Sequence, residues 1–319
     1  MSHHKPKLLV LIGPTAVGKT KLSLELAKML NAEIISGDSM QVYRGMDIGT
    51  AKATPEERAV VPHHLIDIRN PDEPYSVSEF QSMSERLIED ITARGKLPFI
   101  VGGTGLYIES VCYKFEFSSA GQDDAYRKKL QDMVQRDGPQ AVHLMLEHID
   151  PDSAKRIHVN NYRRVIRALE IYHITGKTAT AFLQGQKKES PYELCIVGLT
   201  MDRAKLYQRI EQRIDEMMEQ GLLEEVRRLL NQGYHRDMVS MQALGYKEII
   251  GYLEGEYPLD AAVELLKRDT RRFAKRQLSW FRHMENIHWH DVTEGNFFEH
   301  LQVIHGIIAG NLRLRAEYT

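Results

Sequence analysis

An apolar run, Leu8-Leu9-Val10-Leu11-Ile12, leads directly into Gly13-Pro14-Thr15-Ala16-Val17-Gly18-Lys19-Thr20, and that octad leads into Lys21-Leu22-Ser23-Leu24-Glu25-Leu26-Ala27-Lys28, which has helical spacing. Strand, glycine-rich turn and helix in this order constrain the fold more than any other part of the chain, because they are the context of a phosphate-binding loop. The glycines let the backbone curl so that successive N–H groups converge, and the helix adds its positive N-terminal end. Lys19 is expected to bring a mobile charge to the outer phosphates, and the Thr20 hydroxyl to ligate Mg²⁺ or a phosphate oxygen. The loop alone does not distinguish a nucleoside triphosphate from another polyphosphate.

Around this loop the first hundred residues alternate strand and helix patterns. Strands are expected at 7–12, 32–36, 64–68 and 97–101, with a helix over 76–93 carrying Val77, Phe80, Met83, Leu87, Ile88 and Ile91 at helical spacing. Short apolar strands separated by helices imply a parallel sheet covered on both faces. Two more strands are expected at 193–199 and 287–291. Between polar runs at 118–124 and 184–191 the pattern is purely helical. The expected organisation is an α/β core from 1–114 and 192–319, interrupted by a helical insertion at 115–191.

Composition sets the outer limits. At 319 residues, 42% hydrophobic and 27% charged, the chain has an ordinary globular balance and room for two cores. No apolar run approaches the roughly 18 residues that span a bilayer, and nothing resembles a signal peptide. Cys112 and Cys195 stand too far apart in sequence for a zinc motif or a disulfide framework, so a reducing cytoplasm is expected. The net charge of −2 gives no global sign of a polyanionic partner. Its distribution does: Lys267, Arg268, Arg271, Arg272, Lys275, Arg276 and Arg282 crowd one helical segment, and Arg163, Arg164 and Arg167 form a second cluster. Either could meet a phosphate backbone or be a solvated helix face.

Ligands of open α/β sheets lie beyond the carboxyl ends of the strands. After the second strand comes Gly37-Asp38-Ser39-Met40-Gln41, where Asp38 could accept a proton from an attacking nucleophile or merely cap a helix. After the strand at 97–101 comes Gly102-Gly103-Thr104-Gly105, where the Thr104 hydroxyl is expected in the same crevice. This strand does not end in the acid that orders Mg²⁺ in many triphosphate hydrolases, although Asp67 could partly stand in. Asp47 and Lys52 sit in a polar loop expected over the same edge. His63-His64 lacks companions for zinc, Met217-Met218 and Met238/Met241 have core spacing, and Trp280 and Phe281 could pack or stack on bases.

Six segments together resemble the bacterial tRNA dimethylallyltransferase (tRNA isopentenyltransferase) family nearly end to end: 13–20, 35–52 (Ile-Ser-Gly-Asp-Ser-Met-Gln-Val-Tyr-Arg-Gly-Met-Asp-Ile-Gly-Thr-Ala-Lys), 101–107, 161–171, 243–248 and 271–281. The resemblance implies a P-loop α/β fold and transfer of a dimethylallyl group from dimethylallyl pyrophosphate to N6 of the adenosine 3′ to the tRNA anticodon. It implies that Gly13, Pro14, Thr15, Ala16, Val17, Gly18, Lys19 and Thr20 bind the pyrophosphate, and that Asp38, Lys19 and Thr20 act in catalysis with Mg²⁺ on Thr20. The tRNA anticodon stem-loop would meet Asp38, Ser39, Met40, Gln41, Thr104 and Arg127. It would also meet Arg163, Arg164, Val165, Ile166, Arg167, Gln242, Ala243, Leu244, Gly245, Tyr246 and Lys247. Arg213 would be a further candidate for the pyrophosphate. A cytoplasmic enzyme acting as a monomer without a membrane is expected. The rival readings are an ATP-dependent small-molecule or nucleoside kinase and a nucleotide-gated RNA-binding switch.

Overall fold

The computed structural model describes residues 5–117, 123–184 and 189–314; the polar runs at 118–122 and 185–188 lie outside these. The chain forms two units, one from residues 1–112 and 190–319 and a second from 113–189. In chain order the first unit contributes β1 (Lys7–Ile12), α1 (Lys19–Met29), β2 (Ala32–Gly37), α2 (Pro55–Val60), β3 (His63–His64), α3 (Val77–Ala93), β4 (Leu97–Gly102) and α4 (Gly105–Cys112). The second unit is helical: α5 (Asp124–Asp137), α6 (Pro139–Ile149), α7 (Pro151–Arg156), α8 (Tyr162–Thr175) and α9 (Ala179–Gln184). The first unit then resumes with β5 (Glu193–Thr200), α10 (Arg203–Glu219), α11 (Leu222–Asn231), α12 (Tyr246–Leu253), α13 (Leu259–Phe281), β6 (Ile287–Asp291) and α14 (Phe297–Asn311).

The six strands are all parallel in the order β3-β2-β4-β1-β5-β6. The unbroken apolar reading of β1 follows from its central place: Leu8 to Ile12 are enclosed on both faces. The helix expected at 76–93 forms as α3, opened by a reciprocal capping box between Ser76 and Glu79. The strand expected at 64–68 does not form beyond His64. Leu65 and Asp67 take left-handed backbone angles (φ 62° and 55°), and the Asp67 and Ile68 N–H groups turn to the carbonyls of Gln41 and Val42. The apolar alternation of that segment therefore belongs to a turn. Its side chains Leu65 and Ile66 are nonetheless buried.

Register places the turns that leave the sheet at one level. Ile12 pairs with Gly102 and with Gly198, and Gly37 pairs with Gly102. The approach of β2 to β4 is close enough that a Cβ on Gly102 would collide with the Gly37 carbonyl. A Cβ on Gly37 would instead meet side-chain carbons of Ile100 and Ile108 at 3.2 Å, with the Gly102 Cα at an ordinary contact distance of 3.5 Å. The second unit has its own core of Leu130, Val142, Leu146, Val165, Ile166 and Leu169.

Gly102→Ala is expected to lower stability by about 2–3 kcal/mol in urea unfolding, since backbone cannot yield as a methyl can. Gly37→Ala should cost less than half as much; equal losses would mean that this contact does not set the register.

Candidate active site

Three turns meet at the carboxyl edge of the sheet. The phosphate loop follows β1, with Ala16 and Gly18 in left-handed conformations (φ 64° and 106°) and Gly18 opening α1 without a side-chain cap. The Lys19 ammonium bends over the loop and donates to the carbonyls of Gly13 (2.9 Å) and Pro14 (2.7 Å). After β2, the Asp38 carboxylate accepts from the Met40 N–H at 2.8 Å, an Asx turn and not a helix cap. After β4, the Thr104 N–H reaches the Gly37 carbonyl (3.3 Å) and its hydroxyl oxygen accepts from the Ser39 N–H (3.2 Å).

Two adjoining clefts open there. The first, about 470 Å³, is lined by Thr15, Ala16, Gly18, Lys19 and Thr20 of the phosphate loop, with Asp38, Gly103, Arg209 and Arg213. The second, about 310 Å³, is lined by Ser39, Met40, Thr104, Met217, Gln242 to Gly245, Lys247 and Arg276. Thr15, Ala16, Asp38, Thr50, Ala51, Arg213 and Phe273 line both, so one carboxylate and one guanidinium stand at the junction.

Burial shapes the charges at this junction. Desolvation lowers the Lys19 ammonium to about 7, aided by the positive Arg213 and opposed by Asp38. Desolvation raises the Asp38 carboxyl above its ordinary value, opposed by the Met40 and Gln41 N–H groups and by Lys19 and Arg213. Arg213 is itself lowered by burial, against Asp38 and Glu216. Two cations and one carboxylate are thus held short of full mutual neutralisation, an arrangement that favours an incoming polyanion.

The loop over the clefts is anchored from far along the chain. The Glu225 carboxylate, on α11 and 3% exposed, accepts from the N–H groups of Asp47 (3.0 Å), Ile48 (2.9 Å) and Gly49 (3.2 Å). It also accepts from the Tyr246 hydroxyl at 2.6 Å. Gln41 donates to the Thr50 and Ala51 carbonyls of the same loop and accepts from Ser36. Tyr246 is therefore a fully buried strut and not a surface for a nucleic acid, although its neighbours Gln242, Ala243, Leu244, Gly245 and Lys247 line the second cleft.

Other expected roles are redistributed. Val165 and Ile166 are core residues of the helical unit, so only the arginines of the 163–167 run present side chains outward, with Arg163 and Arg164 exposed. Val17 is likewise a core side chain. Arg127 and Arg167 converge on the buried Glu170 carboxylate at 2.7 and 2.6 Å. Asp67 does not stand in for a metal-ordering acid; it binds Lys52 (2.6 Å) and Arg58 (2.7 Å) outside either cleft. Much of the α13 stripe is paired: Lys267 with Asp215 (2.7 Å), Arg271 with Glu211 (2.5 Å), and Arg268 with Asp269 (2.9 Å). Phe281 is fully buried, and the Trp280 indole donates to Glu109 at 3.0 Å. Arg209, Phe273, Gln277 and Glu225 were not anticipated. Gln277 carried one visible signal, a polar residue four positions from each of Phe273 and Phe281 on one helix face.

Among the described residues no three His, Cys, Asp or Glu side chains gather as a metal cluster. The donor set nonetheless suits Mg²⁺ held mainly by phosphate oxygens and water: the exposed Thr20 hydroxyl borders the first cleft beside Lys19.

The IPP transferase family model matches residues 41–284, a stretch that begins just beyond Asp38. A protein of Anoxybacillus flavithermus called tRNA dimethylallyltransferase is 57% identical over 293 residues, 92% of this chain and 93% of that one. The solved full-length tRNA isopentenylpyrophosphate transferase of Bacillus halodurans is similar with a TM-score of 0.74 at 52% identity, covering 97% of both chains. A solved eukaryotic dimethylallyltransferase acting on tRNA is similar with a TM-score of 0.83 at 33% identity, covering 96% of this chain and 78% of that one.

Because Lys19 binds its proton less tightly in the folded than in the unfolded chain, its charge opposes folding. That cost is full below about pH 7 and shrinks as pH rises towards the ordinary lysine value. Lys19→Met is therefore expected to raise the melting temperature, more at pH 6 than at pH 9, while weakening inorganic pyrophosphate binding at least about tenfold. A lower melting temperature at pH 6 would contradict it.

Proposed function

The chain belongs to the IPP transferase family, and from that premise we propose that its paired clefts transfer a dimethylallyl group from dimethylallyl pyrophosphate to tRNA. The acceptor is the N6 amine of the adenosine 3′ to the anticodon, and pyrophosphate leaves. The observation that carries the reading is the position of Asp38, at the junction of an anion-binding cleft and a second cleft with apolar and basic walls.

The first cleft takes the pyrophosphate. The loop N–H groups, the α1 N-terminus, Lys19 and Arg213 neutralise the charge that builds on it as the allylic C–O bond breaks. Thr20 would hold Mg²⁺, which would add to that neutralisation. The acceptor adenine is flipped from its loop into the second cleft, against Ser39, Met40 and Thr104, whereas Gln41 lines the first cleft and holds the loop at 50–51. As N6 bonds to the allylic carbon its extra proton passes to the Asp38 carboxylate. Burial has raised the basicity of that group, and the Met40 N–H holds its orientation. The proposed transfer uses groups of one chain and needs no second copy, and a tRNA substrate suits a cytoplasmic protein. Among the described residues no helix is long and apolar enough to cross a membrane. The kinase alternative is not favoured, since the similar proteins are named for prenyl transfer to tRNA.

Labelled dimethylallyl pyrophosphate with unmodified tRNA and Mg²⁺ is expected to place label in the tRNA without ATP. In that assay Asp38→Asn should lower kcat about a hundredfold or more while tRNA affinity changes less than about threefold. Turnover near wild type would remove Asp38 as the proton acceptor.

The helical unit is proposed to add phosphate contacts through Arg127, Arg163, Arg164 and Arg167. Since Arg127 and Arg167 also neutralise buried Glu170, the cleaner test is Arg163→Ala with Arg164→Ala. Affinity for tRNA should fall and the slope of log K against log salt flatten by about 0.7 to 1.8. An unchanged slope would exclude this helix from the interface.

A further inference from the structure

We propose that Gln277 is a positioning residue for the transfer, a single amide that sets the spacing between the loop holding the leaving group and the turn holding the acceptor. The inference rests on the reaction proposed above.

Gln277 is a polar side chain on the inward face of α13, 6% exposed among Ala274 and Phe281. Its Oε1 accepts from the Thr15 N–H of the phosphate loop at 2.9 Å. Its Nε2 donates to the Gly103 carbonyl after β4 at 3.0 Å. Gly103 is moulded to it, since a Cβ there would collide with the Gln277 amide nitrogen. One turn further along α13 the Trp280 ring covers Gly105 in the same way. The next residue after Gly103 is Thr104, which holds the Ser39 N–H beside Asp38. A continuous line therefore runs from Thr15 through the Gln277 amide to Gly103, Thr104, Ser39 and Asp38.

A primary amide serves both ends of this line. It accepts from one backbone and donates to another through a planar group of fixed width. An ionised glutamate accepts at both oxygens and would face the Gly103 carbonyl without a proton. A methionine of similar length offers neither bond. With both of its hydrogen-bonding atoms engaged by backbone, the amide is occupied in holding the two turns together. It also removes the Thr15 N–H from those free to face an anion. A transfer between two bound partners depends steeply on their separation, and an ångström of misplacement can cost about a hundredfold in rate. Loss of this bridge should therefore appear in kcat and not in binding.

The test compares wild type, Gln277→Met and Gln277→Glu in the labelled transfer assay, with inorganic pyrophosphate binding measured by calorimetry. For both variants kcat is expected to fall about thirtyfold or more, with pyrophosphate Kd and the KM for tRNA each within about threefold of wild type. A kcat within about threefold of wild type in both variants would overturn the inference. So would a parallel loss of kcat and pyrophosphate affinity, which a collapsed loop would produce. Gln277→Glu retains the acceptor for Thr15 and carries the same comparison should Gln277→Met not fold. A wild-type protein that transfers no label would overturn the proposed reaction itself, which is a separate outcome.

Discussion

The site depends on the contact of two glycines in adjacent parallel strands. Gly37 and Gly102 pair at the carboxyl ends of β2 and β4, and the Gly37 backbone leaves no room for a side chain at Gly102. Parallel pairing makes strands end on the same side, but it does not make their turns touch. Here the absence of a Cβ brings Asp38 and Thr104 to neighbouring positions, within reach of the loop that leaves β1 at the same level. Everything chemical in the first unit is arranged around those three exits.

Placing charge in such a junction works against stability. Lys19, Arg213 and Asp38 are each shifted by burial away from their charged forms, and their mutual attraction only partly offsets it. The surrounding framework has the opposite character. Glu225 gathers three backbone N–H groups and a tyrosine hydroxyl, and Glu33 gathers Arg94, Lys96 and His64, so that these two buried carboxylates outside the clefts are matched. Buried charge with its partners supplied is structural; buried charge left short of partners marks where a charged ligand belongs.

The expectations that held share one property, a signal contained within about twenty consecutive residues. The strand–loop–helix of the phosphate loop, the capped helix after Ser76 and the strands expected at 193–199 and 287–291 all form, each carried by its own apolar pattern and boundary residues. The failure at 65–68 is instructive because its pattern was equally good. Leu65 and Ile66 are buried as a strand would bury them, but Asp67 is drawn into Lys52 and Arg58 and the backbone turns left-handed. The basic residues Lys267 and Arg271 of α13 were ambiguous for a related reason, since their partners Asp215 and Glu211 lie on α10 and a charge run shows nothing of what faces it.

The sequence by itself determined the phosphate loop, the parallel α/β class, the acid after the second strand and, through long motifs, the family. These are local chemistry: a loop, its flanks and the residue at a strand end are specified by neighbours along the chain. Tertiary structure alone decided that Arg213 shares the junction with Asp38, that Glu225 anchors the loop at 47–49, and that Val165, Ile166 and Tyr246 are interior. It also decided that Gln277 meets Thr15 across 262 residues of chain. A helix shows in its spacing which face it buries, but the atoms that face meets are chosen by packing between distant segments, and no pattern within the helix encodes them.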